Sequence, residues 1–348
     1  MRASTIHRFA PAAAILAVLA AAQDIPPATG LLSSRAVAFS PHTGKAYAVD
    51  SSSAEVIVYD TGNRSTRRIR VGPAPVALAV NEVTGRVYVA NSGGDTISVL
   101  DGASSAVAGE IKVGPRPYAV AVNPQANRIY VSNTFSDVIR VIDGASNAIR
   151  DVKAGSADVI AVDAGLDKAY LLHYESDHLT VLDGSLGIPA RPPAGMHLWG
   201  MAIDEPSHTV YATRSGNAEL AILRNSGAID RVPVGAIPCA VAFNSRTQRV
   251  YVSNHGDDTV TVIDAAAAAV LATVRVGHGP QAVAVDEQKD LLYVANTKSN
   301  SVTVLDGREN RVLETLKTGP HPYALAVYPG RQLFVALASS PALEVIDR

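Results

Sequence analysis

The sequence predicts an all-β fold, a β-propeller of eight four-stranded blades, and three markers recurring at a common spacing predict it. The aromatic of a Y-V-x-N-like segment falls at Tyr47, Tyr88, Tyr130, Tyr170, Tyr211, Tyr251, Tyr293 and Phe334, 40 to 42 residues apart. The residue ending a V-x-V-x-D segment falls at Asp60, Asp101, Asp143, Asp183, Arg224, Asp264, Asp306 and Asp347, with the same seven spacings. A glycine ends each cycle, at Gly30, Gly72, Gly114, Gly155, Gly195, Gly235, Gly277 and Gly319. A period of this length marks one supersecondary unit repeated along the chain.

Within a cycle the elements follow from alternation and turn chemistry. The cycle after Gly114 has strand-like segments over 119–122, 128–132, 138–142 and 148–153. Asn123-Pro124, residues 133–137 and Asp143-Gly144 separate them, and Gly155 closes the cycle. The pairs Asp101-Gly102, Asp143-Gly144, Asp183-Gly184 and Asp306-Gly307 are expected to supply positive φ in hairpins. A four-stranded sheet this short, apolar on both faces, is unstable alone, whereas radial stacking buries both faces. The Ala-Val-Ala-Val pattern of the first strand suits a crowded hub, with the bulkier Tyr and Ile further out. The G-P-x-P segments at 72–75, 114–117 and 319–322 carry the chain from one blade's outer edge to the next blade's centre, stiffened by proline.

The markers also predict how the ring closes. Residues 24–30 precede the first cycle in register, while 323–348 supply three strands without a fourth. The N-terminal segment is therefore expected to complete the eighth blade and remove its open edge. The alternative is a seven-bladed ring with an extra partial sheet.

Residues 1–23 read as a signal peptide, with Arg2 and Arg8, an apolar stretch from Phe9 to Leu19, and Ala20-Ala21-Ala22 at the cleavage site. That leaves 24–348 as a single propeller domain. No apolar run approaches the ~20 residues a spanning helix needs. An exported protein is expected, periplasmic or at the cell surface, monomeric and without a cofactor. Subtracting the two leader arginines leaves 28 basic residues against 32 acidic ones, which argues against a uniformly basic nucleic-acid surface. Cys239 is the only cysteine, so no intramolecular disulfide can form. Its apolar and aromatic counterparts in other cycles predict a buried, inert thiol.

The segments VYVANSGGDTISVLD at 87–101, IYVSNTFSDVIRVID at 129–143 and VYVSNHGDDTVTVID at 250–264 resemble the YVTN β-propeller repeat family. The resemblance covers essentially the whole chain after residue 23. It implies a propeller commonly exported or surface-associated in bacteria and archaea, with a binding role and no catalytic residues to carry over.

Residues repeated in every cycle are expected to serve the fold. Asn91, Asn133, Asn254 and Asn296, with Asp95, Asp137, Asp177 and Asp258, read as turn-bonding groups rather than a calcium ring. Function is sought where cycles depart from their own consensus. Cycle four has His173 and cycle five Arg214 where four others have Asn. The segment 173–178 reads HYESDH, and the crossing into cycle five holds Met196, His197 and the sole tryptophan, Trp199.

In a four-strand meander the crossings and the second-to-third-strand loops emerge on one face. Arg116, Tyr118, Phe135, His173, Glu175, His178, His197, Trp199, Arg214 and His255 are thus expected to rim one mouth and bind a protein, glycan or small molecule. Solvated loop drift and a metal site remain the alternatives for these residues, although their spacing matches no compact metal motif.

No G-x-S-x-G, H-E-x-x-H or phosphate-cradling loop is present. A lactonase-like metal hydrolase would draw ligands from Asp50, Asn91, Asn133 and Asn296. A quinoprotein dehydrogenase lacks its tryptophan docking repeats. Nucleic-acid binding would rest on Arg64, Arg67, Arg68 and Arg70, which strand alternation splits between two faces.

Overall fold

The computed structural model describes residues 36–187, 189–339 and 342–348. Eight antiparallel sheets follow one another along the chain, each a meander in sequence order. Their inner strands are Val37–Ser40, Pro75–Asn81, Pro117–Asn123, Val159–Asp163, Leu198–Asp204, Pro238–Asn244, Pro280–Asp286 and Pro322–Tyr328. Each packs on the next and the last packs on the first, which makes an eight-bladed β-propeller and excludes the seven-bladed ring. Among the described residues no helix is long and apolar enough to cross a membrane.

Blade three shows why the repeat folds as it does. Its strands, Pro117–Asn123, Arg128–Asn133, Val138–Asp143 and Ile149–Lys153, match the predicted segments to within two residues. The second strand of a blade has a strand on either side and a blade on either face, so its apolar run is continuous rather than alternating. In blade two Val87, Tyr88, Val89 and Ala90 are all fully buried. The repeated aromatics other than Tyr170 are all less than 2% exposed, and each anchors a cluster of buried apolar side chains; Tyr88, for example, packs with Val120, Ile129 and Val131 of the following blade. Outer strands are largely exposed, and those of blades two, six and seven carry bulges that break a regular edge.

The Asp-Gly pairs work differently from expectation. Gly102, Gly144, Gly184 and Gly307 do not adopt positive φ; that falls later in the turn at Ser105, Asn147, Leu186 and Asn310. Glycine is needed here because the turn presses on the first-to-second-strand turn of its own blade. A Cβ on Gly144 would lie 2.3 Å from Asn127 Oδ1, and the Gly144 amide donates to the Asn127 carbonyl at 2.8 Å. The aspartate caps the turn: Asp143 Oδ1 accepts the Ser146 amide at 2.8 Å.

Blade four departs from the four-strand expectation. It has three strands, the third only Thr180–Leu182, and a single bridge between Val181 and Ala190 where an outer strand would run. Pro189, Pro192 and Pro193 lack amide hydrogens, so this segment cannot sustain a ladder. It still covers the edge: Val181 donates to the Ala190 carbonyl at 2.8 Å and Leu179 to the Pro192 carbonyl at 3.1 Å.

Blade eight also has three strands among the described residues. It meets blade one through Phe39, stacked 4.4 Å from Tyr328 and 5.7 Å from Phe334, and through the Arg64–Asp347 ion pair at 2.6 Å. The leader at 1–23 and the closing strand expected at 24–30 lie outside the described residues.

Candidate functional site

One hydrogen bond, repeated around the ring, fixes which loops share a face. Ala74, Arg116, His197, Ile237, Gly279 and His321, just before their inner strands, all have positive φ. Their carbonyls accept the amides of Ser92, Thr134, Ser215, His255, Thr297 and Ala338, which open the second-to-third-strand loops, at 2.9 to 3.1 Å. Crossings and loops are thereby bound together at the same end of these six blades.

The crossing into blade four is one residue shorter than its neighbours and has no such left-handed residue. Asp158 takes over: its Oδ2 accepts the Tyr174 amide at 2.8 Å. A side chain here does what a backbone carbonyl does elsewhere. Asp158 occupies the register held by Tyr118 in blade three and Trp199 in blade five.

Around Asp158 the sequence has gathered aromatic rings. Tyr174 lies 5.2 Å from the His197 ring and 5.5 Å from Trp199, edge-on at 83°. The His197 amide donates to the Tyr174 carbonyl at 3.0 Å, locking the two loops together. All three rings are only half-buried, while Asp158 and Glu175 are exposed.

Water reaches the Asp158 carboxyl, yet the surrounding mass of protein raises its pKa, and the neighbouring Glu175 charge raises it further. Burial, reinforced by the Asp158 charge, pushes the Tyr118 phenol up to about 12. On the same face Phe135 is 85% exposed and held at φ 63°, with the Arg116 guanidinium 5.7 Å above its ring. The left-handed φ belongs to the turn that the Ser136 amide closes on the Asn133 carbonyl at 3.1 Å, and the exposed phenyl ring itself fills no core.

The other rim candidates have places inside the blades. The asparagine they replace bonds residues five and seven positions on: Asn91 Nδ2 donates to Thr96 Oγ1 at 3.1 Å and Ser98 Oγ at 2.8 Å. His173 keeps the second contact. Its Nδ1 lies 2.7 Å from the Ser156 carbonyl, which can only accept, so the proton sits on Nδ1 and Nε2 accepts from Thr180 Oγ1 at 2.9 Å. Burial lowers its pKa.

Arg214 keeps the first contact, through an ion pair with Glu219. It lies beneath the crossing, where a Cβ on Gly195 would come 2.4 Å from its Nε. His178 Nδ1 is 2.9 Å from Asp177 Oδ1. His255 stands in blade six, its ring bonded to the Pro280 backbone and its Nδ1 buried without a partner. Thr297 makes the equivalent reach to the Pro322 carbonyl at 2.7 Å.

Cys239 is buried and its thiol is pushed up to about 12 by desolvation, the inert state expected of it. The amides of Asn91 and Asn296 are bonded inside their own blades, that of Asn133 to the Val113, Gly114 and Pro115 carbonyls of the crossing from blade two, and Asp50 to Ser52 and Arg68, so the side chains a lactonase-like centre would need are engaged elsewhere. Among the described residues no three His, Cys, Asp or Glu side chains converge to hold a metal. Arg67 bonds the Ser104 carbonyl in blade two while Arg68 pairs with Asp50 and Glu55, so the basic cluster is divided as alternation predicts.

Asp158 and Tyr174 are the residues missed by sequence reasoning. The one signal for Asp158 is the missing residue between Gly155 and Asp163. Two hollows lie elsewhere. One of about 460 Å³, at the opposite end of the ring, is lined by Phe243, Arg246, Val285 and Glu287. Another of about 570 Å³ lies between Lys153 of blade three and Leu186 and Arg191 of blade four.

The class so defined is an eight-bladed β-propeller with an aromatic, acidic loop cluster where blades four and five meet. The sequence model of the YNCE-like beta-propeller family matches residues 228–347, from the outer strand of blade five to the end of blade eight, which supports a β-propeller family. No curated protein matches the chain.

Among solved structures, a chain of Kuenenia stuttgartiensis hydrazine synthase is similar at 19% identity and TM-score 0.62, covering 80% of this chain and 98% of that one. The dihydro-heme d1 dehydrogenase NirN is similar at 14% identity and TM-score 0.74, covering 97% and 84%. AztD from Citrobacter koseri is similar at 14% and 0.63, covering 84% and 88%. At these identities the likeness is one of fold.

Proposed function

We propose that this protein is an exported, non-enzymatic binding propeller that presents its crossing-loop face to a protein, glycan or small-molecule ligand. The observation that carries this is the Tyr174–His197–Trp199 cluster. At the same registers other cycles place residues as different as Ser92, His255 and Ala338, Ala74, Arg116 and His321, and Val76, Tyr118 and Gln281, so the repeat itself does not fix these three rings. A rigid ring suits this role, because loops held at both ends by ladders lose little freedom on binding. The pattern of residues 1–23 supports export, and the YVTN-like segments are of a kind common in exported propellers.

Thermal-shift screening of the purified protein against divalent metals, lactones, glycans and single-stranded DNA tests the reading, since a ligand that prefers the native state raises Tm. A ligand-dependent rise is expected, and it should vanish when His197 and Trp199 are both replaced by Ala while the free protein's Tm scarcely changes. Normal binding by that double variant would remove the mouth from consideration.

A further inference from the structure

We propose that the mouth between blades four and five receives a cation, an ammonium or guanidinium group held by the Tyr174 and Trp199 rings and by the Asp158 and Glu175 carboxylates; this rests on the binding role proposed above. The first ground is the rings. In the edge-on Tyr174–Trp199 pair the ring faces are not stacked on each other, and both rings remain partly open to solvent. A ring face carries the negative end of the quadrupole and attracts an organic cation.

The second ground is charge. The crossings and second-to-third-strand loops of blades two to four carry Asp95, Asp137, Asp158, Glu175 and Asp177. Arg116 is the one permanent cation there and lies over Phe135; blade five adds Arg191 on its crossing and Arg214, which is paired with Glu219, and His178 is occupied with Asp177, so the acidic groups still outnumber the cations. This excess repels an anion, and a neutral ligand leaves it uncompensated.

The third ground is Asp158 itself. Its bond to the Tyr174 amide uses Oδ2 alone, which leaves Oδ1 for a ligand, and the charge of the adjacent Glu175 disfavours its own in the free protein. An arriving cation relieves that cost, which is a differential gain available only to a positively charged ligand.

The sole tryptophan is a built-in reporter, because any change in its emission arises at the mouth. Choline and an acetylated, amidated tripeptide with a central lysine are titrated against the full chain while Trp199 fluorescence is followed, with 3,3-dimethyl-1-butanol as the uncharged isostere of choline. Saturable change with either cation is expected, at least about tenfold tighter than with the alcohol. The tighter cation identifies whether a free organic ammonium compound or a protein side chain is the source. Asp158→Asn should weaken binding by about tenfold and Glu175→Gln by a few-fold; the asparagine oxygen still accepts the Tyr174 amide, so the fold is kept, as an unchanged circular dichroism spectrum would verify.

Equal affinity for choline and the alcohol, or no response to either cation, overturns the proposal. If neutral maltotriose or cellobiose then changes the emission, the binding mouth stands and its cation preference does not. If no compound changes the emission or raises Tm, both readings fall.

Discussion

Blade seven and the junction of blades four and five are built from the same repeat and use their polar side chains differently. In blade seven Asn296 bonds Ser301 and Thr303, Thr297 bonds the next blade's inner strand, and Asp286 holds Gly330. At the junction the turn bonds are made by substitutes: His173 for an asparagine, Arg214 with Glu219 for another, Asp158 for a backbone carbonyl. The substitutes keep the blade closed and leave Tyr174, His197 and Trp199 beyond what closure requires. Divergence in a repeat protein thus divides into residues that take over a structural bond and residues that take over none. The second group points to a ligand directly, and Asp158 joins it only through Oδ1, the carboxylate oxygen its structural bond leaves unused.

That division has measurable consequences. The largest contrast is between Tyr293, fully buried, and Trp199, half-buried at the mouth. Tyr293→Ala should cost about 4 kcal/mol in urea unfolding, in the range for buried aromatics, and Trp199→Ala about 1 kcal/mol. Equal losses would mean that Trp199 belongs to the core.

Next comes Arg214→Ala, which leaves Glu219 only the looser pairing with Arg231 at 3.8 Å and opens space beneath Gly195; a loss of about 2 kcal/mol is expected. Arg214→Asn, restoring the repeat's own residue, should lose less. If instead it abolished ligand binding without changing stability, Arg214 would move to the ligand side of the division.

His173→Asn should be close to neutral at pH 8 and should soften the acid sensitivity of the fold. The folded-state pKa of His173 lies below its ordinary value, so the unfolded chain takes up the proton first. Stability from this group is complete above about pH 6.5 and is lost as pH falls through the depressed folded value. Melting curves from pH 8 to 5 should therefore fall less for the variant; parallel curves would show that His173 does not titrate against the fold.

Smallest is Asp158→Asn in the free protein. The carboxyl pKa is raised, so the charged form burdens the native state once pH exceeds that raised value, and the burden is absent where both states are protonated. The variant should melt slightly higher at pH 7 and converge with the parent near pH 4. A lower melting temperature at pH 7 would mean that the Asp158 charge stabilises the loop.

Much of this molecule can be read along the chain. Tyr88 and its counterparts mark the buried second strands because a strand enclosed on every side admits no alternation of polar residues, and the cycle count gives the blades. The loops sharing a face follow from meander topology. Less legible was the role of each divergent residue. His173 and Arg214 carry the chemistry of ligands, and only their distances to Thr180 and Glu219 assign them to the blade. The Asp-Gly turns hid a similar point, since the close approach of Gly144 to Asn127 is a contact between turns seventeen residues apart.

By itself, then, the sequence determined the repeat, its strands and the ring, because these depend on periodicity and on the burial of apolar faces, both of which are local to a cycle and repeated eight times. Tertiary structure alone decided that a shortened crossing turns Asp158 towards Tyr174, and that Tyr174, His197 and Trp199 meet. Those contacts join loops of neighbouring blades across distances set by ring geometry, and no pattern within one cycle encodes them.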